Sequence, residues 1–135
     1  MATLTELPAT GKIISAREGL VVFCPAGTNY EMHLVCPGYG GPLNTPTQGI
    51  VRVKARKIYT VPSGGLFVTP IFGSPRIIQG RIRSIDEQSM VLHAGGPIAV
   101  EFPVDDSAFD LANGGLAVGK MANVVALPGA TFEPR

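Results

Sequence analysis

Gly11-Lys12-Ile13-Ile14-Ser15-Ala16-Arg17-Glu18-Gly19-Leu20-Val21-Val22-Phe23 returns further along the chain as Gly80-Arg81-Ile82-Arg83-Ser84-Ile85-Asp86-Glu87-Gln88-Ser89-Met90-Val91-Leu92. In each stretch an Ile-centred run is followed by a polar break and a second apolar run. Two short apolar runs separated by a tight polar break read as a β-hairpin. A self-similar segment of this length reads as a unit of architecture used twice.

The match extends outward in a definite register. From Gly11 to Gly27 the matching residue lies 69 positions on, so that Gly11, Ile13, Ser15, Glu18, Val22 and Gly27 meet Gly80, Ile82, Ser84, Glu87, Val91 and Gly96. From about Leu34 to Pro62 the offset is 66, and Pro37, Gly49, Lys54 and Pro62 meet Pro103, Gly115, Lys120 and Pro128. The three-residue difference falls at Thr28-Asn29-Tyr30. A hairpin loop there tolerates a length change at little entropic cost. The expectation is a tandem internal repeat, with a first β unit over 1–70 and a second over 71–135. Units of this size are small to stand alone, so they are expected to pack as one compact body.

Composition agrees with an all-β chain. Gly and Pro contribute 17 and 12 of the 135 residues, and they cluster between apolar runs rather than forming a tract, so they read as turns. Val and Ile dominate the runs, and helical periodicity is scarce. Strands are expected near 11–17, 20–24, 31–36, 50–61 and 66–69, and again near 79–85, 90–93, 98–102, 117–127 and 130–132. The long strand over 50–61 is expected to be broken or bulged near Lys57, where alternation slips. Each unit places about a dozen residues between its third and fourth strands. In the second unit Asp105 or Asp106 is expected to cap a short helix that Gly114 ends. Three strands, a connection that is sometimes helical, then further strand: this order resembles the OB-fold, a small five-stranded barrel. The resemblance implies two small barrels, or one barrel built jointly by both units around a pseudo-two-fold axis.

Charged residues make up 16% of the chain, against about 25% in ordinary soluble domains. Mean hydropathy is +0.27, yet no apolar run approaches the roughly 20 residues of a membrane helix. Apolar surplus without a membrane span points to surface covered by a protein partner or a second copy of the chain. Met1 to Thr10 has neither the basic start nor the apolar core of an export signal, which sets a cytoplasmic expectation. Two cysteines in such a setting are expected to be reduced.

The one charged pattern that stands out is basic. Arg52, Lys54 and Arg56 alternate with Val51, Val53 and Ala55, so a strand puts the three cations on one face. Lys57 and Tyr59 follow, Arg81 and Arg83 alternate around Ile82, and Arg76 stands just before them. These eight residues are the candidate polyanion site, since a cationic strand with a neighbouring aromatic suits a phosphate backbone. The competing reading is the wet face of an edge strand, where Lys and Arg oppose aggregation. A net charge of +1 favours the latter.

No catalytic, metal or cofactor site emerges. Cys24, His33, Cys36 and His93 lack the spacing of a structural zinc site, and Asp105, Asp106 and Asp110 lack the ligand pattern of a calcium loop. Gly38-Tyr39-Gly40-Gly41 has no following Lys or helix to make a phosphate loop. The resulting expectation is a non-catalytic assembly or interaction protein that self-associates or joins a larger complex. Nucleic-acid or polyanion binding through the basic strand is the alternative.

Overall fold

A computed structural model describes residues 8–112 and 114–135; the export-signal reading of residues 1–7 lies outside them. The described residues are all-β, with twelve strands joined in one mixed sheet. In the first half these are β1 (Ala9–Arg17), β2 (Leu20–Pro25), β3 (Glu31–Val35), β4 (Pro46–Val61), β5 (Phe67–Thr69) and β6 (Phe72–Gly73). The second half adds β7 (Ile77–Ile85), β8 (Ser89–His93), β9 (Pro97–Glu101), β10 (Phe109–Asp110), β11 (Met121–Ala126) and β12 (Thr131–Pro134).

The pairing order is β1-β2-β3-β12-β4-β11-β7-β8-β9, with further ladders from β4 to β1 and to β9. The 16-residue β4 is therefore common to two closed circuits of ladders. Its first part is opposite β1 and β12, with Gly49 paired to both Ala9 and Pro134. Its second part is opposite β9 and β11, with Arg52 to Lys54 beside Ala99 to Glu101 and Ala55 to Val61 beside Ala126 to Met121. The two halves of the sequence are interleaved: β12 closes the circuit of β1, β2 and β3, while β4 closes that of β7, β8 and β9.

Local registers in the two halves correspond closely. Ile13 faces Phe23 across β1–β2, and Ile82 faces Leu92 across β7–β8; each ladder then shifts register, between Ile13 and Ser15 and between Ile82 and Ser84. The 69-residue offset holds through these hairpins, and the 66-residue offset holds in the third strands, where Leu34 faces Val21 and Val100 faces Met90. Beyond that point the expected register is corrected. Gly11 is opposite Thr47 but Gly80 is opposite Ala122, 75 residues on, so Gly49, Lys54 and Pro62 do not share places with Gly115, Lys120 and Pro128. The extra length lies in the segment before β11, which starts at Met121 rather than near Ala117.

The acidic connection also differs from expectation. Asp105 caps a single turn of 3-10 helix, Asp106–Ala108, by accepting from the Ser107 N–H, but the turn ends at Phe109, where β10 begins, and not at Gly114. Two carboxylates and a Ser in succession satisfy local backbone donors more readily than they propagate a helix.

Burial along β4 explains its length. Val51, Val53 and Ala55 are buried, whereas Lys54 and Arg56 are exposed. After Arg56 the phase changes, so that Ile58 and Thr60 are buried and Lys57 and Tyr59 are half-buried. The cause is a bulge: Lys57 faces Val125 and Ala55 faces Ala126, leaving Arg56 as the extra residue. The slip expected near Lys57 is this bulge, one residue earlier. One continuous cluster of buried side chains, from Ile13, Phe23 and Phe132 to Ile82, Leu92 and Val124, fills both circuits.

Candidate functional site

The eight candidate residues separate into three groups. Arg52, on β4, is drawn toward β12: its Nε lies 3.0 Å from Glu133 Oε2, and its second nitrogen donates to Oε1 at 3.3 Å. The pair is two-pronged, and the Arg52 hydrogen bond, aided by the charges of Arg52 and Arg135, holds the Glu133 carboxyl below the usual range. Lys54 stands opposite Glu101 and gives its carbonyl to Leu127 N–H. At this end of the strip Arg52 is ion-paired, and Lys54 has a carboxylate-bearing residue in register on the neighbouring strand.

Arg81 and Arg83 lie elsewhere. β7 is separated from β4 by β11, and Arg81 is level with Met121 and Val61. Around the other side of the circuit Ser84, Val91, Ala99 and Arg52 stand in one row, so Arg83 lies three ladders from Arg52, on the order of 15 Å, with no Lys or Arg on the two strands between. Arg81 also donates to the Gly119 carbonyl at 2.9 Å. The basic residues therefore do not form one continuous track.

The third group is brought together. The β4–β11–β7–β5 ladders align Lys57, Val125, Ile77 and Thr69 in one row. At the end of this row a recess of about 870 Å³ is lined by Arg56, Arg76, Ile77, Val125, Leu127 and Pro128, among others. The bulge delivers Arg56. Arg76 is fixed through its backbone, its N–H donating to Thr69 and its carbonyl accepting from Ala126. Lys57 and Tyr59 lie beside it, on one face of the same strand, with the ammonium 4.9 Å from the ring centroid.

Sequence reasoning missed two further features. The segment between β4 and β7 exposes Leu66, Ile71 and Phe72; Ile71 and Phe72 are 61% and 63% exposed. Leu66 and Ile71 line one small cavity with Tyr30, whose hydroxyl accepts from Val68 N–H. Phe72 stands edge-on to His33 at 4.6 Å, over an imidazole whose Nε2 is buried without a partner among the described residues. The second feature is an acidic cavity of about 480 Å³ that includes Glu87, Glu101 and Asp106 together with Phe102 and a fully exposed Val104. Single exposed apolar residues leave no signature in a sequence, because only the fold shows whether a strand or a partner covers them.

Among the described residues no three His, Cys, Asp or Glu side chains gather as a metal site would require, and no helix is long and apolar enough to cross a membrane. Cys36 is buried in the core cluster, and that burial raises its thiol pKa, which suits a cysteine that packs as a small hydrophobe. Compared with protein families, curated proteins and solved structures, the chain shows no match.

Proposed function

We propose that this chain is a non-catalytic assembly protein, built from two OB-like β-barrel units that arose by internal duplication and exchanged their closing strands. Support for the duplication comes from matched registers and matched bulges in the two hairpins. Support for the OB-like order comes from the circuits. Each joins three antiparallel strands to a parallel neighbour, β12 beside β3 and β4 beside β9, and each closes through a strand antiparallel to the first. This pairing supports reading each circuit as an OB-like five-strand order in which the other unit supplies the parallel neighbour.

The observation that carries the self-association reading is the number of large apolar side chains left uncovered on a small protein. Val104, Phe72, Val118 and Ile71 are each more than half exposed, and Leu20, Leu43, Leu66 and Leu111 are nearly so. Scattered single residues are ordinary, but Leu66, Ile71 and Phe72 share one segment. Light scattering at micromolar concentration tests the reading: an assembly larger than one chain is expected, and a strict monomer overturns it. Polyanion binding through the whole basic strand has less support, since Arg52 is paired with Glu133, and β8 and β9, which carry no Lys or Arg, stand between it and Arg81 and Arg83.

A further inference from the structure

The basic recess and the acidic loop complement each other in charge, and each carries exposed apolar surface beside its charges. We infer that the 102–106 loop of one copy docks into the Arg56–Arg76 recess of the next, giving a head-to-tail contact. The inference rests on the self-association reading above and names the surfaces that perform it.

Among the described residues the recess is lined by two arginines and no carboxylate, against walls that include Ile77, Val125 and Leu127. Among the described residues neither Arg56 nor Arg76 has an ion-pair partner within the chain. Two like charges beside an apolar wall repel each other and raise the local potential, which draws an anion with an apolar body. The loop offers that combination. Val104 is fully exposed at its tip, with Asp105 and Asp106 next to it and Glu87 and Glu101 behind. Asp105 is already ordered: Ser107 donates to its carboxylate from Oγ at 2.8 Å and from N–H at 2.9 Å. A loop fixed before contact loses little freedom on docking.

The two surfaces belong to different edges of β4. Ile58 and Tyr59 pair with Val124 and Asn123 of β11, the recess strand, and also with Phe109 and Asp110 of β10, the strand that follows the loop. The two cavities share no lining residue. The recess and loop of a single chain are therefore separate patches, each removable without the other; a contact in which each meets a different neighbour is heterologous and propagates or closes into a ring.

Sedimentation velocity on the full chain tests this with two variants that each remove one side of the contact. One carries Arg56→Gln and Arg76→Gln. The other carries Val104→Ser, Asp105→Asn and Asp106→Asn, in which the amide that replaces the Asp105 carboxylate retains the cap. All five positions are exposed, and an unchanged urea transition verifies that each variant folds. The wild-type chain is expected to associate, and to do so less as salt rises. Each variant is expected to bind itself at least roughly tenfold more weakly. An equal mixture of the two is expected to yield a dimer and nothing larger, because one intact loop meets one intact recess. Either variant associating as the wild type does, or a mixture that stays monomeric, overturns the head-to-tail contact while leaving self-association standing. A wild-type chain that is itself monomeric overturns both.

Discussion

At the scale of single residues, two glycines govern the hairpins. A Cβ on Gly11 would collide with the backbone carbonyl of Cys24, and one on Gly80 with that of His93. In each case the obstacle is main chain held in a ladder, so it does not move aside as a flexible side chain would. Gly11→Ala and Gly80→Ala are each expected to destabilise the fold by about 1–3 kcal/mol, the usual penalty of overpacking. Gly65→Ala, with nothing within 4 Å of its Cβ, is expected to stay within about 0.5 kcal/mol of wild type. Urea melts of the three decide the matter; equal effects at all three sites would contradict it. The turns at the hairpin tips solve one problem in two ways. Glu18 and Gly19 both adopt positive φ, as a two-residue turn between right-twisted strands favours. At the corresponding turn the carboxylate of Asp86 accepts from Gln88 N–H and Ser89 N–H, which supplies in side-chain bonds what Gly19 supplies in backbone freedom.

At the scale of elements, β4 carries the architecture, and the Arg52–Glu133 pair links it to β12. Glu133 has its pKa lowered in the folded state, so it contributes stability above the unfolded carboxylate value of about 4.3 and loses that contribution as pH falls through the lower folded value. Both side chains are partly exposed, so the contribution is small, about 0.2–1 kcal/mol. Comparison of wild type with Glu133→Gln should show a stability gap at pH 7 that closes on acidification below about pH 4. A gap that widens in acid would contradict the assignment. Much of β4 was legible in the sequence. The alternation of Arg52, Lys54 and Arg56 with Val51, Val53 and Ala55 marked its two faces, and the slip near Lys57 marked the bulge. Its two sets of partners were not legible, because alternation reports which face is buried and not which strand covers an edge. The recess was hidden for the same reason: Arg56 and Arg76 share no periodicity, and only the β4–β11–β7 ladders bring them together. The register beyond β3 was misread because recurring Gly, Lys and Pro are common at turns and match by chance as easily as by descent.

At the scale of the whole molecule, the halves 1–70 and 71–135 are separable in sequence but not in structure. The first lacks β12, whose Phe132 is buried with its ring 4.9 Å from that of Phe23. The second lacks β4, which pairs with both β9 and β11. Expressed separately, neither half is expected to show a cooperative urea transition, and mixing them is expected to restore one. A cooperative transition in residues 1–70 alone would refute the interdependence. The hairpin loops of the two halves also touch: Tyr30, in the three residues that lengthen the first, packs against Gly95 in the second.

The sharing of β4 bears on how the chain is made. A ribosome delivers β1 to β4 first, and β3 and β4 then wait with open edges until Thr131–Pro134 emerges to pair with both. Contacts between positions some eighty to a hundred residues apart form slowly, because the intervening loop must close before they contribute. During that interval the nascent chain presents unpaired strand edges, a form prone to joining its neighbours on the same messenger. Synthesis rate and chaperone access are therefore expected to bear on how much of the protein reaches its closed form.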